Sequence, residues 1–208
     1  MFQATLRITL ILTLVALISS CAKVYHSPDA KTLARNHNQV AILLPKVTIP
    51  ANKKANVELL REQQRTEAVN FQQELYAWML KRKLKGKFRP EIQEIETTNA
   101  LLAKAGYPET PMTNQEICQL LGVDGLMTST FALSKPISEG AAVALMVVGG
   151  MWGPTNQVQM TLGISDCMNR KLIWNYEHKM AGGMGTTSSN IVDGLMRKAS
   201  KKMPYTRK

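Results

Sequence analysis

Cysteine and histidine are the side chains best suited to nucleophilic, redox or metal chemistry, and both are scarce here: Cys21, Cys118, Cys167, His26, His37 and His178. No two stand at the close spacing of a zinc site, so no metal ligand set is predicted. Neither Gly-x-Ser-x-Gly nor His-Glu-x-x-His occurs, and His178, the one histidine within the predicted folded region, lies in a strand pattern with no nucleophile beside it. Asp124 and Asp166 fall in turn contexts, where a carboxylate serves backbone hydrogen bonds. Gly182, Gly183 and Gly185 precede a helix without the Lys-Ser/Thr of a phosphate-binding loop, and read as a connector. These residues predict no catalytic site, no cofactor and no metal.

The chemistry the sequence does encode is at Cys21. Residues 1–21 carry one basic residue, Arg7, an apolar run over 8–18, and then Ile18-Ser19-Ser20-Cys21. The run is about half of the ~20 residues that span a bilayer, which predicts an export signal and not a permanent helical anchor. The Ile-Ser-Ser-Cys ending resembles the bacterial lipobox. That resemblance implies cleavage before Cys21, a diacylated thiol and an acylated new amino terminus. Ala22 follows in place of the Asp that favours inner-membrane retention in lipoprotein-sorting families, which implies the outer membrane.

Export bounds the rest. Cys118 and Cys167 reach a compartment that permits a disulfide, and are predicted either to bridge or to lie free, Cys118 in an apolar helical pattern where buried thiols are common. The whole chain carries 26 Lys+Arg against 15 Asp+Glu, a formal +11, of which only Arg7 belongs to the leader. A basic excess serves solubility or an anionic partner, and export excludes nucleic acid as that partner. The concentration near the C terminus, Arg197, Lys198, Lys201, Lys202, Arg207 and Lys208, nominates contacts to an anionic surface, or a solvated tail.

Stepping inward, residues 22–38 are polar with Pro28 and no sustained apolar period, and predict a flexible tether between Cys21 and a single domain over 39–208. Val40-Ala41-Ile42-Leu43-Leu44-Pro45 predicts a strand buried on both faces. Leu60, Ala68, Phe71, Leu75 and Trp78 predict a helix over 57–84, stopped near Gly86. An alternating strand is predicted over 90–95 and a helix over 97–105. A capping box, Thr113 with Glu116, opens a further helix that ends at Gly122. A strand from about 125 to 133 follows. Val158, Met160, Leu162 and Ile164, then Leu172, Trp174 and Tyr176, predict a hairpin over 157–165 and 171–179. Ile191, Val192, Leu195, Met196 and Ala199 predict a closing helix over 189–203. The order β-α-β-α-α-β-β-β-α implies an α/β fold, a mixed sheet covered by helices.

Val40-Ala41-Ile42-Leu43-Leu44-Pro45, Leu121-Gly122-Val123-Asp124-Gly125-Leu126 and the strand ending Leu172-Ile173-Trp174 resemble the small α/β domain at the amino terminus of TolB, found also in curli-secretion pore lipoproteins and in lipoprotein activators of penicillin-binding proteins. The resemblance spans about residues 39–203 and implies a domain that binds envelope proteins or oligomerises, with no active site. Two departures stand out: the apolar insertion at 139–155, and no pair of alternating ten-residue segments able to form pore hairpins. The insertion nominates an interaction element through Ala141, Val143, Leu145, Met146, Val147, Val148, Met151 and Trp152, either dipping into lipid or folding over its own domain. The function implied is a non-enzymatic, membrane-anchored lipoprotein that binds or assembles envelope proteins. The alternatives are an oligomeric secretion component whose 139–155 segment enters the membrane and, third, an enzyme acting on envelope polymer.

Overall fold

Continuous aliphatic residues at Val40, Ala41 and Ile42 need a strand covered from both sides, and the sheet provides it. In a computed structural model, which describes residues 22–51, 56–135, 137, 156–182 and 187–207, β2 (Gln39–Ile42) lies between β4 (Glu91–Ile92) and β5 (Gly125–Leu133), parallel to both. Pro45 lacks an N–H for the ladder, and the chain pairs with β5 again only after it, as β3 (Lys46–Thr48). Beyond β5 the sheet turns antiparallel through β6 (Asn156–Asp166) and β7 (Lys171–Gly182). With β1 at Lys23–His26, the spatial order is β1-β7-β6-β5-β2-β4, with β3 beside β5. The result is a mixed seven-stranded sheet.

Helices cover the sheet unevenly. On one face α2 (Val57–Leu84) and α5 (Ser188–Ala199) set Phe71, Leu75, Met79, Ile191 and Leu195 against Ile42, Phe131, Met160 and Trp174, all buried, with Phe71 and Phe131 stacked at 3.9 Å between centroids. On the other, α3 (Ile95–Lys104) and α4 (Asn114–Leu121) bury Leu102, Ile117 and Leu121 against Ala41, Leu43 and Leu126. The capping box at Thr113 and Glu116 is formed, and Gly122 ends α4 at φ +64°, a conformation that favours glycine. The second face of β6 and β7 carries Gln157, Gln159, Lys179 and Leu172, all exposed among the described residues.

Four sequence expectations are revised. The segment after Cys21 is not a tether throughout. Lys23–His26 forms β1, which pairs antiparallel with β7, and Ala30–Asn36 forms α1, with Ala30 and Ala34 buried. The reason is that β7 would otherwise end the sheet as an open edge, and two alanines four apart suffice to seat a short helix against it. The predicted strand over 90–95 shrinks to Glu91–Ile92, because Ile95 already belongs to α3. In β7 a bulge opposite Ile164 and Ser165 inserts Ile173, which is buried beside Trp174, and turns Leu172 to the opposite face, where it is exposed. Likewise Met79 completes the buried stripe of α2, whereas Trp78 is half-buried under the Arg82 guanidinium, 4.7 Å from its ring centre.

Candidate functional site

At the end of the sheet where β5 starts and β6 stops, the chain gathers polar side chains from distant segments. His37, just past α1, places Nε2 2.8 Å from Asp166 Oδ1 and Nδ1 2.6 Å from the Tyr205 hydroxyl. All three are buried. Asp166 Oδ2 accepts the backbone N–H and the side-chain amide of Asn169, closing the β6–β7 turn. Burial by itself would raise the Asp166 carboxyl, but the bonds from His37 and Asn169 outweigh it and hold the group below its ordinary range. Asp166 is thus a carboxylate bonded to His37 Nε2, and the other ring nitrogen, Nδ1, is bonded to the Tyr205 hydroxyl. Burial first, and then the charges of Asp166 and Asp124, push the Tyr205 hydroxyl well above its usual value and keep it protonated.

Room for this network comes from Gly125. A Cβ there would stand 2.6 Å from both His37 Nδ1 and the Tyr205 hydroxyl oxygen. Asp124 beside it accepts the backbone N–H groups of Asn38 (2.7 Å) and Gln39 (3.0 Å), pinning the start of β2 to the start of β5. A Tyr–His–Asp chain has the polarity of a proton relay, yet its phenol is buried and protonated, so it supplies no nucleophile. The arrangement clamps the exit of α1, the end of β6 and the C-terminal segment together.

Over the clamp lies a cavity of about 440 Å³, lined by Asn36, Gln115, Gln119, Met168, Asn169 and Arg170, among others. Its floor includes a disulfide: Cys118 of α4 is bonded to Cys167 of the β6–β7 turn, with their Cα atoms 5.7 Å apart. Met168, beside it, is 88% exposed. Among the described residues no group of three His, Cys, Asp or Glu is placed to hold a metal ion, and no described helix is long and apolar enough to cross a membrane.

No protein-family model matches this sequence, and no curated protein does. Among solved structures it is similar to the PelC dodecamer from Paraburkholderia phytofirmans (12% identity, 91% of this chain and 99% of that one, TM-score 0.45). It is similar also to lipoprotein GNA1162 from Neisseria meningitidis (11% identity, 79% and 96%, TM-score 0.43). A third is the LpoB C-terminal domain from Escherichia coli (12% identity, 74% and 95%, TM-score 0.31).

Cys21, the segment 139–155 with its nominated apolar residues, Gly183 and Gly185 of the glycine-rich connector, and Lys208 lie outside the described residues. Arg197 is exposed on α5 and paired with Asp193 (2.7 Å), and Lys198 is exposed with Nζ 3.0 Å from His178 Nε2. Burial, followed by the Lys198 charge, lowers the His178 pKa. Lys201, Lys202 and Arg207 are exposed, but on a folded-back segment whose Met203 and Tyr205 are buried. His37 and Tyr205 had no signal in the sequence. Each sits in a polar, aperiodic stretch and acquires its partner only through the fold.

Proposed function

We propose that this chain is a non-enzymatic lipoprotein, held in the outer membrane by acylated Cys21, whose α/β domain binds or assembles cell-envelope proteins. One observation carries the reading: β1 begins at Lys23, so the sheet starts two residues after the acylation site. Two residues reach about 7 Å at full extension. A domain joined so closely to its lipid cannot tumble freely beneath the bilayer, and presents a fixed end to it. Lys23 pairs with Glu177, and the chain before it runs toward Lys179, the end of the sheet where β5 stops and β6 starts. The opposite end, with the disulfide, the clamp and exposed Met168, then faces away from the membrane, open to a partner.

The test is acyl labelling of wild type and Cys21→Ala, followed by detergent-phase partition and sizing by light scattering. Label confined to wild type, on a monomer that captures a defined envelope protein, supports the reading. Absence of label on wild type sinks it.

The second reading is an oligomeric secretion component whose 139–155 segment enters the membrane. It is favoured by the position of Leu133 and Asn156, which flank that segment at the same end of the sheet toward which the chain before Lys23 runs. A large uniform oligomer, with membrane insertion abolished by deleting 139–155, would select it. Insertion that survives the deletion would reject it.

A further inference from the structure

The C-terminal basic residues do not form a tail by themselves. Phe88 and Thr206 form an antiparallel bridge, with Arg207 N–H bonded to the Lys87 carbonyl and Arg89 N–H to the Tyr205 carbonyl, each at 3.2 Å. That pairing sets Lys87 directly opposite Arg207. Like charges opposite one another across a strand pair are destabilising, and the bridge forms nonetheless, because Phe88, Met203 and Tyr205 are buried beneath it. The energy of burial thus holds cations together on the surface.

Around this bridge run two cavities of about 380 and 620 Å³ that share Lys201, Thr206 and Arg207, and so form one furrow. Five Lys and Arg line the first and six the second, with Lys201 and Arg207 common to both. They come from the end of α2, the bridge, α5, the segment after it, and α1, and neither lining includes an Asp or Glu among the described residues. Arg197 is paired with Asp193, whereas Lys31, Arg89, Lys201 and Arg207 make no ion pair within 4 Å among the described residues. His26 borders the furrow, and its pKa is lowered by partial burial and then by Lys31 and Lys202.

We propose that this furrow binds a carboxylated polysaccharide, lying lengthwise across Arg89, Arg207 and Lys201. A single small anion would meet only some of the nine Lys and Arg that line the two cavities (five and six, two of them shared), whereas a chain with a charge on each sugar can meet them in succession. Arginine forks suit carboxylates. Among the described residues no Phe, Tyr or Trp lines either half, so they offer no stacking platform of the kind single-stranded nucleic acid uses. The choice of a free polymer over the lipid surface rests on the anchor reading above: the furrow lies by His26 and the start of β5, away from the end that Cys21 would hold to the bilayer.

The experiment titrates the full chain, in neutral detergent micelles, with polygalacturonate, with neutral dextran of equal size, and with vesicles containing phosphatidylglycerol. Polygalacturonate is expected to bind and to weaken with salt, and dextran is expected not to bind. Arg89→Gln/Lys201→Gln/Arg207→Gln should weaken binding roughly tenfold, three surface contacts contributing about two- to threefold each. Its thermal midpoint should be unchanged or raised, because like charges have been separated. Lys23→Gln/Lys46→Gln/Lys179→Gln removes the same charge elsewhere and should bind as wild type. Equal weakening in both triple variants, binding to vesicles alone, or no binding of polygalacturonate at low salt each overturns the proposal. Binding by Cys21→Ala equal to wild type, with acyl label absent from both, would refute the anchor and leave the furrow standing.

Discussion

His37 Nε2 and Asp166 Oδ1, 129 residues apart in sequence, meet at 2.8 Å inside the protein. This contact ties the exit of α1 to the last residue of β6, and with Tyr205 it ties both to the C-terminal segment. A buried carboxylate with such partners is costly to disturb, since removing a partner strands a desolvated group.

Asp166→Asn should therefore lower stability by about 2 kcal/mol at neutral pH, read from denaturant unfolding. The pH dependence has a definite sign. The folded carboxyl lies below its ordinary value, so its contribution is fully present above the unfolded carboxylate pKa of about 4 and is lost as pH falls through the folded value. The gap between wild type and variant should hold from neutral pH down to about 5 and narrow below that. A gap independent of pH would show that charge plays no part.

Gly125→Ala introduces a methyl group where His37 and Tyr205 leave no space. We expect a loss of about 2–3 kcal/mol, from overpacking and from a broken Tyr205–His37 bond. Gly122→Ala tests a different cause. Nothing lies within 4 Å of a Cβ at Gly122, so any loss there reports its φ of +64° alone and should be about 1 kcal/mol.

The disulfide closes a loop across a sequence separation of 49, between α4 and the hairpin turn. Loop entropy assigns about 4 kcal/mol to such a closure, as an upper expectation. Cys118→Ser/Cys167→Ser should unfold at lower denaturant by an amount approaching that figure, and reduction of wild type should reproduce it. Unchanged stability on reduction would mean that the bond does not form.

A chain beginning at Pro28 lacks β1 and exposes the edge of β7. It should lose about 2–4 kcal/mol, counting the strand's net hydrogen bonds and packing, and self-associate through the open edge, seen by thermal unfolding and light scattering. Were residues 22–27 merely a linker, neither readout would move.

The strand at Val40–Ile42, the helix over Val57–Leu84, the capping box at Thr113 and the β6–β7 hairpin were all legible in the sequence. Each is a local pattern: an apolar period, a cap, or a turn between alternating runs. Asp166 was legible as a turn residue, and it does bond Asn169 across the turn. Its second partner, His37, was not. The strand Lys23–His26 was missed because four mostly exposed residues on a sheet edge carry no alternation to detect.

The sequence by itself thus determined the elements, the α/β order and the basic excess, because backbone propensity and hydrophobic period act over a few residues. Tertiary structure alone decided that His37, Asp166 and Tyr205 form one buried clamp, that Cys118 meets Cys167, and that Arg89 and Arg207 share a furrow with Lys201. These contacts join segments with no local signal for each other. They exist because burying Phe88, Tyr205 and the apolar face of α5 fixes where the chain returns, and the polar side chains are carried to their partners with it.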